Sequence, residues 1–265
     1  MSNESVDKIV VKKPLRFKFY FTIAVVVFLI FGSAYFAGFN VYEVITNLGQ
    51  TFRLMNKLFF PPAWDYTTRV IGPLFETVQM AIVGSFLGAI IAFPVSLFAA
   101  DNFIENKFVN TPVRVVLNIF RTIPALVLAA LFVAVFGIGS FAGIVALFIF
   151  SFGLISKLTY ESIEAIDYGQ VEAIKSLGAN KLEILRFAII PQILPQFMSY
   201  TLYAFEVNIR AAAVLGYVGA GGIGQTYERN LAMRYFDRVG MIIIVSFFAV
   251  LIIDVISRNI RKRLV

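Results

Sequence analysis

"VEAIKSLGANKLEILRFAIIP", residues 171–191, reads like a piece of a soluble protein set inside a strongly apolar chain. Asp167 just before it suits a helix N-cap, with Gln170 three residues later as in a capping box. Val171, Ile174 and Leu177 then fall at helical spacing. Gly178 suits a left-handed C-terminal cap. Asn180 caps again, with Glu183 three residues on, before Leu182 and Leu185 continue the pattern and Pro191 bends or ends it. The spacing therefore predicts a helix–Gly–helix whose apolar stripe is about two turns wide. That is too small for a core of its own, so the stripe is expected to lie in a groove of a partner.

The surroundings say what kind of protein interrupts itself this way. Mean hydropathy is +0.83, and 59% of the 265 residues are hydrophobic, 29 of them Phe. One soluble core of this size cannot bury so much apolar surface, so a bilayer is the expected solvent. The chain has no Cys and no His. Disulfides, Cys-based metal or redox sites and the commonest general base are thereby excluded. With no cluster of carboxylates in the apolar runs either, an enzyme is a poor fit. No metal and no cofactor is expected.

Apolar runs near twenty residues mark six candidate spans: about 19–39, 77–100, 113–137, 141–155, 189–217 and 239–256. Lys8, Lys12, Lys13, Arg16 and Lys18 precede the first, and Arg258, Arg261, Lys262 and Arg263 follow the last. Lys107, Arg114 and Arg121 lie between or beside spans two and three, and Lys157, Lys175, Lys181 and Arg186 between spans four and five. All fall on one side of a six-span topology; Arg53, Lys57, Arg69, Arg229, Arg234 and Arg238 fall on the other. By the positive-inside rule both termini and the 171–191 stretch are cytoplasmic. The net charge of +7 is then a topology signal at a lipid surface rather than a nucleic-acid footprint. The first run exceeds a signal-peptide core, so it reads as a retained anchor. Residues 41–71 form an outer loop with Val41, Val44, Ile45, Leu48, Phe52, Leu54 and Leu58 at roughly helical spacing. Its helix is expected to lie on the membrane or pack on the bundle.

Two features inside the runs bear on chemistry. Glu206 and Arg210 stand four apart on one helical face of the fifth run. A mid-span Arg costs about 2.5–3.5 kcal/mol on insertion scales and so should pair, or face a watery path. A guanidinium on such a path would suit an oxyanion, with Glu206 limiting how tightly it binds; Arg121 is a further candidate. Gly219, Gly221, Gly222 and Gly224 match G-x-G-x-x-G, but no strand precedes them and no acid follows at the required distance. They are expected to form a tight turn at the outer mouth. A P-loop, G-x-x-x-x-G-K-[ST], is absent from the sequence.

The 171–191 stretch resembles the EAA loop of ABC-importer permeases, with Glu172, Ala173, Gly178 and Pro191 at the pattern's positions. Ile174 replaces the usual second Ala and Ala188 the commoner Ile. "FPPAW" (60–64), "FRTIPALVLAALFVAVFGIGSFAG" (120–143), "ESIEAID" (161–167), "IIPQILPQFMSYTLYAFEVNIRAAAVLGYVGAGGIG" (189–224) and "MRYFD" (233–237) narrow the likeness. They resemble the permease of phosphonate importers, in a branch that includes the methionine-importer permease. The resemblance covers about 60–264. It implies an all-α integral membrane protein with the type I ABC-importer permease fold. Residues 1–265 would form one permease domain: a cytoplasmic tail and extra span to 40, the outer loop, and a five-span core over 72–258. The cytoplasmic coupling loop would cover 158–188, with Glu172, Ala173, Leu177, Gly178 and Ala179 meeting the ATPase. The implied partners are an ATP-binding cassette subunit dimer, an extracytoplasmic solute-binding protein and a second permease subunit of the same or a sister chain. The implied place is a bacterial cytoplasmic membrane. An amino-acid cargo such as methionine is the nearest alternative. An ion-driven secondary carrier is more distant, because it would show inverted repeats that the chain lacks.

Overall fold

The computed structural model describes residues 17–104 and 106–264. Lys8, Lys12, Lys13 and Arg16 of the basic N-terminus lie outside them. The described residues form helices joined by short turns, without a strand: α1 (Phe17–Phe36), α2 (Val41–Phe59), α3 (Thr67–Ala99), α4 (Lys107–Thr122), α5 (Ala125–Phe136), α6 (Ser140–Glu164), α7 (Tyr168–Ser176), α8 (Lys181–Ile184), α9 (Ile190–Leu215), α10 (Gly222–Ala232) and α11 (Phe236–Leu264). Contacts divide the chain into two compact units, Met1–Met55 and Asn56–Val265. The first holds α1 and most of α2, the helix expected in the outer loop.

Among the described residues, α1, α3, α6 and α11 are single helices long and apolar enough to cross a membrane. The six expected runs are met in three ways. The third is not one helix: α4 and α5 meet at 88°. Pro124 caps α5 without an N–H to donate, and it pushes Ile123 into extended backbone (φ −80°, ψ 121°). The fifth run becomes α9, 26 residues long, whose Gln, Glu, Asn and Arg side chains make it too polar to qualify by composition. The second, fourth and sixth runs each sit within one helix to within a residue. By contrast, α1 stops at Phe36, three residues short of the first run's expected end, and α6 runs on to Glu164, past the strict apolar core.

The second unit is built around α3, α6 and α9. Between apolar helices in lipid, close packing and hydrogen bonds supply the attraction, so interfaces favour small residues. Gly84 and Gly88 bring α3 against α6. A Cβ on Gly84 would stand 2.7 Å from Leu147 Cβ, and one on Gly88 would stand 2.8 Å from Ser151 Cβ. Ala81, Ser85, Ala89 and Ala92 complete that buried face. Asn208 then ties in α9. It is fully buried, and its Nδ2 donates to Ser85 Oγ (2.7 Å) on α3 and to Ser151 Oγ (2.6 Å) on α6. Ser85 in turn donates to Ala81 O. Interhelical bonds of this kind average about 0.6 kcal/mol in membranes. Asn208→Leu is therefore expected to cost about 1–2 kcal/mol, since two bonds go and a bulkier side chain enters. A thermal melt of the purified protein measures this, and an unchanged midpoint would show the triad to be idle.

Candidate functional site: the capped loop and the charged α9–α11 face

The polar stretch folds as two capped helices, but it is assembled differently from the sequence expectation. Asp167 Oδ1 accepts from Gly169 N (2.9 Å). The reciprocal half of the capping box is missing at Gln170, because Gln192 takes its place. Gln192 Oε1 accepts from Asp167 N (3.0 Å), while its Nε2 donates to Ala188 O (2.9 Å). The start of α7 is thus fastened to the start of α9, across the whole loop. Gly178 ends α7 in the left-handed conformation (φ +84°). The second box is complete: Asn180 Oδ1 accepts from Leu182 N and Glu183 N, and Glu183 Oε2 accepts from Asn180 N (2.7 Å). Pro191 does not end the helix. A π turn over Leu185–Ile189 precedes it, and Pro191 sits in the first turn of α9, where a missing N–H is tolerated.

Burial sorts the stripe. Val171 packs into the unit's own core with Ala188, Ile189, Ile193, Ile163 and Leu117, and Ile174 lies partly buried beside it. This corrects the expectation that the whole stripe awaits a partner: its first two positions are already used. What faces outward is the turn, with Leu177 86% exposed and Leu182 74% exposed. Glu172, Ala173 and Gly178 are exposed and Ala179 is half-buried. The five loop positions singled out from the sequence thus lie at or just before one capped knuckle between α7 and α8, all exposed or half-buried. An apolar side chain held out in water by caps on both sides is suited to contact rather than to chemistry.

Beneath the knuckle lies a polar knot that sequence reasoning missed. Arg114 on α4 pairs with Asp101 (3.1 Å) and with Glu164 at the end of α6. Its Nε donates to Ala99 O (2.7 Å), and the guanidinium lies 5.0 Å from the Tyr160 ring centre. Asp101 N donates to Glu164 Oε1 (2.9 Å). The ends of α3, α4 and α6 are joined here. By sequence alone Arg114 reads only as a topology signal. Arg114→Met is expected to lower the melting midpoint by several degrees, because the two carboxylates lose their shared cation. Equal melting curves would reduce the knot to surface decoration.

Glu206 and Arg210 do not pair with each other. Glu206, nearly buried, bonds Arg261 of α11 at 2.5 Å. Arg210 Nη1 donates to both carboxylate oxygens of Asp254 of α11, at 3.1 and 3.2 Å. Charges on α11 explain the exchange. The observed pairing gives buried Glu206 the half-buried Arg261 and leaves Arg258 without an ion pair among the described residues, at an exposed position where a lone charge costs least. Arg261, expected only to mark a membrane side, also neutralises a buried acid. Asp254 was legible, being the single charged residue in the sixth apolar run. Arg121 is exposed near the end of α4, just before the 88° break, with its backbone against Gly153. Among the described residues it makes no ion pair.

At the far end of α9, Gly219 (φ +84°) begins the turn into α10. Gly221 and Gly222 also have positive φ. Their lack of side chains admits Glu76, Ser140 and Thr77: a Cβ on Gly221 would lie 2.9 Å from Glu76 Oε1 and from Ser140 N. Thr77 Oγ1 accepts from Ile223 N (2.8 Å). Gly224 packs against Ala213 and Gly216. The four glycines make a close-packed turn. Among the described residues no group of His, Cys, Asp and Glu is arranged to hold a metal.

Comparison with known proteins follows the same lines. A family model described as "Binding-protein-dependent transport system inner membrane component" matches residues 84–265. The chain is similar to a putative phosphite transport system permease protein of Stutzerimonas stutzeri, 36% identical over 202 residues, covering 76% of this chain and 72% of that one. It is also similar to a phosphate-import permease protein of Mycolicibacterium smegmatis, 35% identical over 216 residues, covering 77% and 41%. Among solved structures it resembles a chain of the MetNI methionine ABC transporter in an inward-facing conformation. That match has a TM-score of 0.67 and 25% identity, covering 74% of this chain and 96% of the other.

Proposed function

Because the chain belongs to the family of binding-protein-dependent transport system inner membrane components, and is thus an ABC-importer permease, we propose that it passes phosphonate or a related phosphorus oxyanion across the cytoplasmic membrane. A separate ATPase drives it through the 167–191 loop. The family is a class of transport permeases rather than of enzymes. The observation that carries the coupling reading is the knuckle, where Leu177 is held out by caps on both sides. The cargo rests on relatives that carry phosphite and phosphate in their names, and on a guanidinium, Arg210, placed where an oxyanion could meet it.

In this reading the loop and both termini face the cytoplasm, and the glycine turn faces outward. A solute-binding protein delivers the anion there, to a permease pair made of this chain twice or of this chain and a sister. The chain carries no nucleotide-binding loop of its own, so ATP binding is felt only through contact. Arg210 and Arg121 supply positive potential along the path, while Glu206, held by Arg261, supports the wall. Methionine as cargo is the second reading, favoured by the likeness to MetNI.

The deciding experiment is ATP hydrolysis by the permease reconstituted with its ATPase and binding protein. Stimulation is expected when the binding protein carries an alkylphosphonate and not methionine. Stimulation by methionine alone would overturn the cargo, and no stimulation by either would overturn the coupled machine.

A further inference from the structure

A cleft of about 610 Å³ opens along α9 and α11. Its walls are apolar except for Arg210, Asp254, Arg258, Ser246 and two tyrosines, Tyr217 and Tyr227. The charges do not cancel. Arg210 and Asp254 form one pair, whereas Arg258, one turn beyond Asp254 on α11, is exposed and has no ion-pair partner among the described residues. An unmatched positive charge in a groove with apolar walls attracts an anion more strongly than it would in open water.

The Arg210–Asp254 contact is also incomplete. Both bonds leave from Nη1 alone, and the side chains remain 48% and 33% exposed. Nε and Nη2, the other edge of the fork, make no hydrogen bond among the described residues. That edge matches two oxygens of a tetrahedral oxyanion, and Arg258 offers a second fork from the facing helix.

We propose that this cleft binds a phosphorus oxyanion between Arg210 and Arg258, with Asp254 as an internal competitor that keeps the site weak. Asp254 already occupies one edge of Arg210, so an incoming oxyanion must share that cation or displace the carboxylate. A site that has to release its ligand gains from such a rival. Asp254, not Glu206, is the carboxylate free to limit binding, because Glu206 is engaged by Arg261. The identity of the ligand as transported solute rests on the importer reading above; a phospholipid headgroup presents the same chemistry.

The test uses the full-length permease in nanodiscs of phosphatidylcholine, titrated with methylphosphonate by calorimetry, beside discs of phosphatidylglycerol whose retained lipid is counted by native mass spectrometry. Asp254→Asn is expected to bind methylphosphonate about five-fold more tightly, the scale of a half-exposed ion pair. Arg258→Gln is expected to weaken binding by about the same factor. It breaks no ion pair among the described residues, so it stays informative if Asp254→Asn folds poorly. Changes confined to the phosphatidylglycerol arm keep the oxyanion site and assign it to the headgroup. Unchanged binding in both arms, for both variants, overturns it. Phosphonate-stimulated ATP hydrolysis together with unchanged binding would remove this site and leave the importer reading standing. Altered binding without any stimulation would do the reverse.

Discussion

Gly178→Asp is expected to leave the permease folded and abundant while uptake collapses. The left-handed φ of +84° costs an ordinary L-residue about 1–2 kcal/mol, a local strain at an exposed turn. Space is not the obstacle, since a Cβ at Gly178 meets nothing within 4 Å. Whatever rejects the carboxylate must therefore come from outside the chain. A charge pushed into the centre of a docked knuckle should cost about 2 kcal/mol or more, roughly 30-fold in affinity for the ATPase. Pull-down of the ATPase by the purified permease, beside uptake in cells, reads this directly. Gly178→Asn separates the causes, because Asn has the same shape, tolerates the backbone and carries no charge. It should retain most of the association that Asp loses. Normal uptake by the Asp variant at normal abundance would sink the docking role of the knuckle.

The double substitution Gly84→Val, Gly88→Val should have the largest effect on the fold itself. At both positions the new Cβ meets atoms that cannot swing away: Leu147 Cβ and Phe148 N at one, Ser151 Cβ and Phe152 N at the other. The helices must separate, and overpacking costs about 1–3 kcal/mol per site. Separation also stretches the Asn208 bonds to Ser85 and Ser151, so the two losses compound. The variant is expected to elute as aggregate in detergent, whereas Gly72→Val, at an open position, should elute like the parent. A monodisperse double variant with an unchanged melting point would show that α3 and α6 do not depend on this contact.

Much of the architecture was legible because membrane helices obey a simple constraint. Backbone polar groups in hydrocarbon must bond within their own segment, so long apolar runs can only be helices. The runs at 19–39, 77–100, 141–155 and 239–256 were readable for that reason, as was the Asn180–Glu183 box, whose atoms lie within one turn. Ile123-Pro124 could also have been read as a break, since the residue before a proline leaves the helical region. It is easily read through, because membrane helices tolerate prolines, even though Arg114, Asn118 and Arg121 interrupt the first half of 113–137.

The partners of charged groups were not legible in the same way. Glu206 and Arg210 satisfied every local rule for a pair, yet each binds α11. Arg114 looked like a loop charge and is instead the centre of a knot. Gln192 replaced Gln170 at Asp167, and the stripe on α7 proved half used. The sequence by itself determined the family, the helical character of the long apolar runs and the Asn180–Glu183 cap. Only the tertiary structure decided which charges meet, because a side chain in an apolar setting takes the partner that leaves no buried charge unmatched, wherever in the chain that partner lies.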